Sequence, residues 1–302
     1  MMRDWFVFHC VSGHAFFTGF GLLGLAWWLA GRTATRGTHR LRTWSVVLGL
    51  TAIGISGTPM PLWLAVTFLS SLVLWSVSER NVRKPTNASD AGVSADAQIS
   101  SFKRVRLLVL LSWLTCLVVE VPYHVTPTWN ASKDQKWAVI GDSLSAEFGE
   151  GLPWPGHLER DYGLSIRNLA VAGATVRTAL QQAAKLDAAE MVLIEIGGND
   201  LLGETSAADF ERSLDELLQD VARSGRHVVM FELPVPPWGH RFGAIQRRLA
   251  SRYRVVLIPK RVLAGVITTP GATNDGLHFT QLGHADLAMR LAAMRTALVG
   301  KP

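Results

Sequence analysis

Cysteine is nearly missing from this chain. Its 302 residues include two, Cys10 and Cys116, and both lie inside apolar runs. A disulfide framework or a thiolate zinc site is therefore not supported. Residues 133–302 contain no cysteine, which suits an oxidising compartment. Acidic residues are scarce in the first part. Residues 1–132 hold five Asp and Glu against eleven Lys and Arg, and that difference is the whole net charge of +6. The rest of the chain is formally neutral. The positive charge lies in short loops between apolar runs, not on the face of a folded domain, which argues against a nucleic-acid partner.

Long apolar runs are abundant in that first part, and the whole chain has a mean hydropathy of +0.20 and eleven Trp. Residues 5–30, 43–57, 62–77 and 105–121 read as four transmembrane spans. The first is long enough to cross with tilt, while the others lie near the lower limit of about 17 residues. Arg32, Arg36, Arg40 and Arg42 fall between spans one and two. Arg80, Arg83, Lys84, Lys103, Arg104 and Arg106 fall between spans three and four, and "TPMP" between two and three is uncharged. The positive-inside rule then places both basic loops in the cytoplasm. The chain reads as a multi-pass protein of the bacterial inner (plasma) membrane. Residues 1–121 form the membrane region, 122–136 a linker, and 137–302 a domain facing the periplasm or exterior.

That last domain alternates short apolar strands with helices. The strands are expected at 137–140, 165–168, 191–196, 227–231 and 254–258. The helices are expected near 144–149, 153–162, 174–185, 206–224, 242–252 and 280–298. Such alternation predicts an α/β fold with a parallel sheet covered on both faces. In such sheets the site forms beyond the carboxyl ends of the strands.

The unusual residues occur at that edge. "GDSLS" follows the first strand, "NLAVAGATV" the second and "GGND" the third, while "NDGLHFTQLGHADLA" precedes the last helix. Taken singly, each has a bland reading. Ser143 could cap a helix, "GGND" could be a turn, and Asp275 could be an N-cap beside a solvated histidine. Together they supply the parts of an ester-hydrolysis site. Ser143 needs a base to become a nucleophile, and histidine, present here as His278, is the side chain suited to that task. Asp275, three residues before it, can fix the imidazole tautomer. The backbone N–H groups of Ser143 and Gly173 and the side-chain amide of Asn199 can face an oxyanion. Asp142 and Asp200 read as turn-holding residues. Trp154, Trp238 and Phe242 are candidate walls of an acyl pocket, and residues 246–254 read as a solvated helix face.

The four blocks carrying Ser143, Gly173, Asn199 and His278 resemble the SGNH or GDSL hydrolases over roughly residues 137–298. Within that family the chain is similar to bacterial periplasmic arylesterases of the thioesterase/lysophospholipase type. The likeness rests on "GDSLS", "WPGHLE", "GGNDLL" and the run from "LPVPPWGHRF" to "YRVVLIP". It implies a flavodoxin-like three-layer α/β/α sandwich, with Asp275 as the triad carboxylate. The expected activity is hydrolysis of carboxylic esters (acyl lipid, aryl ester or O-acetyl glycan) through a Ser143 acyl-enzyme held near membrane lipid. No metal or cofactor is implied. The alternatives are an O-acyltransferase acting on a cell-envelope glycan, and a catalytically silent domain that binds glycan or lipid.

Overall fold

A computed structural model describes residues 2–32, 35–83, 93–130, 135–146, 151–186, 189–222 and 225–296. These divide into two compact units. One comprises residues 1–16, 54–59 and 123–302, and the other residues 17–53 and 60–122.

The first unit is built on five parallel strands, β2 (Lys136–Gly141), β3 (Ser165–Asn168), β4 (Met191–Glu195), β5 (His227–Phe231) and β6 (Val256–Ile258). Their order across the sheet is β3-β2-β4-β5-β6, with Val139 opposite Asn168 on one side and Leu193 on the other. Alternation along the strands makes two apolar faces. Trp137 and Val139 point to one core, and Ala138 and Ile140 to the other. The first core is closed by α6 (Trp154–Tyr162), α11 (Lys260–Ile267) and α12 (Gln281–Met294). The second is closed by α7 (Val176–Ala183), α9 (Ala207–Ala222) and α10 (His240–Tyr253). This is a three-layer α/β/α sandwich. Because β2 has neighbours on both sides and the chain leaves it in opposite directions, the switch point lies at its carboxyl end.

Several elements differ from expectation. The helix expected at 144–149 does not begin after Ser143. Residues 143–145 form a turn in which the Ser145 and Ala146 N–H groups both donate to the Asp142 carbonyl, and residues 147–150 lie outside the described ones. "GGND" is more than a turn, because Gly198–Leu202 forms the short helix α8. Helix α11 lacked a sequence expectation, although Pro259 immediately before it is a start signal. Helix α12 stops at Met294, where Arg295–Thr296 (β7) pairs with Trp129–Asn130 (β1) as a second, two-stranded sheet. Residues 246–254 are solvated on one side only, where Arg248, Ser251, Arg252 and Arg254 are exposed. Arg247 is buried, pairs with buried Glu232 at 2.6 Å and lies 3.7 Å over the Tyr123 ring. A carboxylate at the end of β5 cannot be buried without such a partner.

The run at 5–30 is not one straight helix. It divides into α1 (Met2–Val11) and α2 (His14–Ala30), bent by 84° at Ser12 and Gly13. Gly13 has φ +87°, a left-handed conformation that ends α1. Helix α1 and the turn at 54–59 belong to the unit that contains the sheet.

The second unit contains most of α2, then α3 (Arg36–Ile55), α4 (Leu62–Arg83) and α5 (Val93–Glu120). Gly19 and Gly49 let α2 and α3 approach closely, since a Cβ on either would meet the other's carbonyl oxygen within 2.9 Å. Trp113 donates to the Ser71 hydroxyl at 3.0 Å, and Arg106 lies 4.2 Å over Trp27 while donating to its carbonyl. Outward-facing side chains are apolar, among them Leu69, Val73, Leu108, Leu111 and Val118. Among the described residues, two helical stretches are long and apolar enough to cross a membrane, Leu62–Arg80 and Ser100–His124, or three if the bent pair α1 and α2 is one span. The apolar run 43–57 falls in α3, whose first two turns carry Arg36, His39, Arg40 and Arg42.

Candidate active site

The carboxyl ends of β2, β3 and β4 gather the residues singled out in the sequence. Strand β2 ends at Gly141, where no side chain fits: a Cβ there would lie 2.7 Å from the Ser145 Cβ and 3.0 Å from the Glu195 carbonyl. Gln182 of α7 completes this end, accepting from the Gly141 N–H and donating to its carbonyl, both at 2.9 Å. Next comes Asp142, buried, whose Oδ1 accepts the Leu144 N–H at 3.0 Å and so sets the turn around Ser143. Ser143 itself is half-buried. Asn168, at the end of β3, donates to the Ser145 carbonyl at 2.7 Å and holds the far side of the same turn.

Gly173 lies in the loop after β3 with φ +76°, and no atom lies within 4 Å of where its Cβ would be. The glycine is thus explained by backbone conformation more than by crowding. Its neighbour Ala174 accepts a 2.9 Å hydrogen bond from Asn199 Nδ2. The second contact of that nitrogen, to Asp142 Oδ2, is 3.4 Å, long for a hydrogen bond. One amide hydrogen therefore anchors Asn199, and the other is only loosely engaged. Asp200 faces away and caps α7, accepting the Val176 N–H at 2.8 Å.

Asp275 and His278 share one loop before α12. Asp275 Oδ1 accepts the backbone N–H groups of Leu277 and His278, and Oδ2 lies 2.7 Å from His278 Nδ1. A carboxylate taking two N–H donors on one oxygen is itself an acceptor, so Nδ1 carries the proton and Nε2 is left to accept one. These same bonds, the imidazole's first, hold the Asp275 carboxyl well below the usual carboxylate range. His278 also lies near enough to Asp142 for its positive charge to lower that carboxyl's pKa. The nearby His284 is different: it is buried, accepts the Trp154 N–H, and burial pushes its pKa down to about 4.

Glu195 escaped the sequence reading, although a carboxylate inside "MVLIEI" is an anomaly in an apolar strand. It is 1% exposed, accepts the Ser145 hydroxyl at 2.8 Å and is hydrogen-bonded to Asp142. Burial, then the charge of Asp142, raises Glu195 well above the ordinary range. Burial likewise raises Asp142 to about 6. Both shifts favour the protonated carboxyl, in which form Glu195 can donate to Asp142 beneath the turn that carries Ser143.

Of the aromatics named as candidate pocket walls, Trp154 is a core residue, fully buried against Phe231 and donating to Ser145, Trp238 is 80% exposed, and Phe242 packs on Phe210. Among the described residues, two openings lie at this edge. An apolar pocket of about 180 Å³ reaches Leu144, Gly198 and Leu277, and a more polar groove of about 660 Å³ runs along Asn274, Asp275 and Gly276. Among the described residues, no group of three or more His, Cys, Asp or Glu is placed to hold a metal ion.

A model of the GDSL-like Lipase/Acylhydrolase family matches residues 139–285. An arylesterase of Vibrio mimicus is 32% identical over 160 residues, which is 48% of this chain and 80% of that protein. The chain belongs to the GDSL-like lipase/acylhydrolase family. The thioesterase 1/protease 1/lysophospholipase L1 of Escherichia coli K12 is 28% identical over 168 residues, 52% of this chain and 81% of that protein. A crystal structure of TesA has 26% identity and a TM-score of 0.47, covering 53% of this chain and 97% of that one. This GDSL hydrolase is thus an enzyme of the serine-hydrolase type that acts on ester bonds. The family match begins inside β2 and ends inside α12, so the two loops of the Asp275–His278 pair and of Ser143 both fall within it.

Proposed function

We propose that the protein is a membrane-anchored serine esterase in which Ser143 is the nucleophile, His278 the general base and Asp275 its orienting carboxylate. The observation that carries this reading is the 2.7 Å contact of Asp275 with His278 Nδ1, in a loop that brings the imidazole close to Asp142 beside Ser143. His278 Nε2 takes the hydroxyl proton as Ser143 Oγ attacks the ester carbonyl. The oxyanion is met by the Ser143 and Gly173 N–H groups and by the loosely engaged Asn199 hydrogen. The protonated His278 then gives its proton to the departing alkoxide, which leaves as alcohol, and the acyl group stays on Oγ. Water, deprotonated by the same imidazole, releases the acid and restores Ser143.

The apolar helices of residues 17–122, two of which are long and apolar enough to cross a membrane, support a multi-pass anchor, and the basic loops support a catalytic domain on the periplasmic or outer side. The test is hydrolysis of aryl esters by the full chain in lipid nanodiscs, beside Ser143→Ala. The expected loss is at least about 10³-fold in kcat/KM. Equal rates in both proteins would remove Ser143 from the mechanism. An acyl-enzyme that forms but hydrolyses only slowly, and is discharged by added sugar, would replace the esterase with an acyltransferase.

A further inference from the structure

The apolar pocket beside the site is not made by the family segment alone. One side is contributed by Leu144, Gly198 and Leu277, the chain neighbours of Ser143, Asn199 and His278. The lining also includes Val7 and Val11 of α1, which lies wholly outside residues 139–285. Helix α1 is held there firmly. It packs along α11, and the Cys10 carbonyl near its end accepts the Gly57 N–H at 2.8 Å. The Gly57 carbonyl in turn accepts Lys260 Nζ at 2.7 Å, from a fully buried side chain at the start of α11. The wall is therefore preformed.

Chemistry assigns the two openings to the two halves of an ester. The leaving oxygen must lie beside the imidazole that protonates it. Asn274, Asp275 and Gly276, from the loop that carries His278, line the polar groove together with Arg3 and Asp4, and Val7 lines both this groove and the apolar pocket. The alcohol belongs on that side. The acyl group then points the other way, into a pocket whose lining is apolar apart from Thr268 and Glu195.

We propose that α1 forms a wall of the acyl pocket, that Val7 and Val11 are specificity-determining residues, and that the preferred substrates carry acyl chains of several carbons in place of acetyl. This assignment rests on the esterase reading above. The test uses the full chain in nanodiscs with p-nitrophenyl acetate, butyrate, hexanoate and octanoate. Each methylene entering the pocket should raise kcat/KM by roughly threefold to fourfold until the pocket is full. Val7→Trp and Val11→Trp should flatten that rise, lowering kcat/KM for octanoate by a larger factor than kcat/KM for acetate. Val7→Ala, which adds room without bulk, should move the preferred chain to greater length. A wild-type profile that is flat in chain length overturns the assignment and leaves the esterase intact. So does a profile that none of the three variants alters. Absence of turnover with every ester overturns the esterase reading and the pocket with it.

Discussion

Glu195 offers the sharpest test of how the turn that carries Ser143 is held. Replacing it with Leu removes the acceptor of the Ser145 hydroxyl and the neutral donor to Asp142, both in positions with almost no solvent. A buried hydroxyl proton without a partner costs about 1–3 kcal/mol, and a lost hydrogen bond to a buried carboxylate about as much again. Glu195→Leu should therefore destabilise by about 3–5 kcal/mol, lowering the melting midpoint by about 10 °C or more. Glu195→Gln keeps a donor for Asp142 and an acceptor for Ser145, and should lie within about 1 kcal/mol of wild type at pH 7.

The pH dependence separates the two variants further. Both carboxyls of the pair have folded pKa values above their ordinary ones, so the folded state binds more protons than the unfolded one. Their stabilising effect is complete below the ordinary values of 3.8 and 4.5 and is lost as pH rises, through about 6 for Asp142. Moving a carboxyl from 3.8 to about 6 corresponds to about 3 kcal/mol at pH values above both. Glu195→Gln cannot ionise in the folded or the unfolded chain and so removes one of the two titrating groups, and the decline from pH 4 to pH 8 should be shallower than in wild type. Thermal melting of the full chain in nanodiscs, followed by Trp fluorescence, measures both quantities. A Gln variant as unstable as the Leu variant, or one with an equally steep pH slope, would show that Glu195 is ionised in the native protein and refute the reasoning.

Two further outcomes follow from the same geometry. Asp275→Asn should lower kcat/KM by about 10²–10⁴-fold, because an amide no longer fixes the proton on His278 Nδ1; phosphonylation of Ser143 by a fluorophosphonate should slow in parallel, and an unchanged rate would free Asp275 from any role in orienting the base. Asn199→Ala should lower kcat by about 10²–10³-fold with KM nearly constant, whereas a change confined to KM would place Asn199 in ground-state binding.

Much of the site was legible because its chemistry is local. Asp275 and His278 are three residues apart, and their hydrogen bond closes within one loop. The strands were legible for a similar reason, since a strand buried on both faces must be apolar nearly throughout. Glu195 and Arg247 were misread or missed because their partners are distant in the chain. Arg247 looks like a surface charge until Glu232 stands beside it, and Glu195 looks like an error in a strand until Asp142 and Ser145 close around it. Trp154 could be named only as a candidate for either core or pocket, because an aromatic side chain carries no mark of which apolar space it fills.

The first apolar run shows the division most clearly. By itself the sequence determined that residues 5–30 avoid water, that 137–302 alternate strand and helix, and that a serine, an amide and an acid–histidine pair stand at successive strand ends. Those are properties of composition, period and spacing. Only the tertiary structure decided that the run breaks at Gly13, so that α1 joins the sheet unit and lends Val7 and Val11 to a pocket more than a hundred residues away from them in the chain. Apolar surface is non-directional: hydrophobicity requires that a segment be covered, and the fold alone selects what covers it.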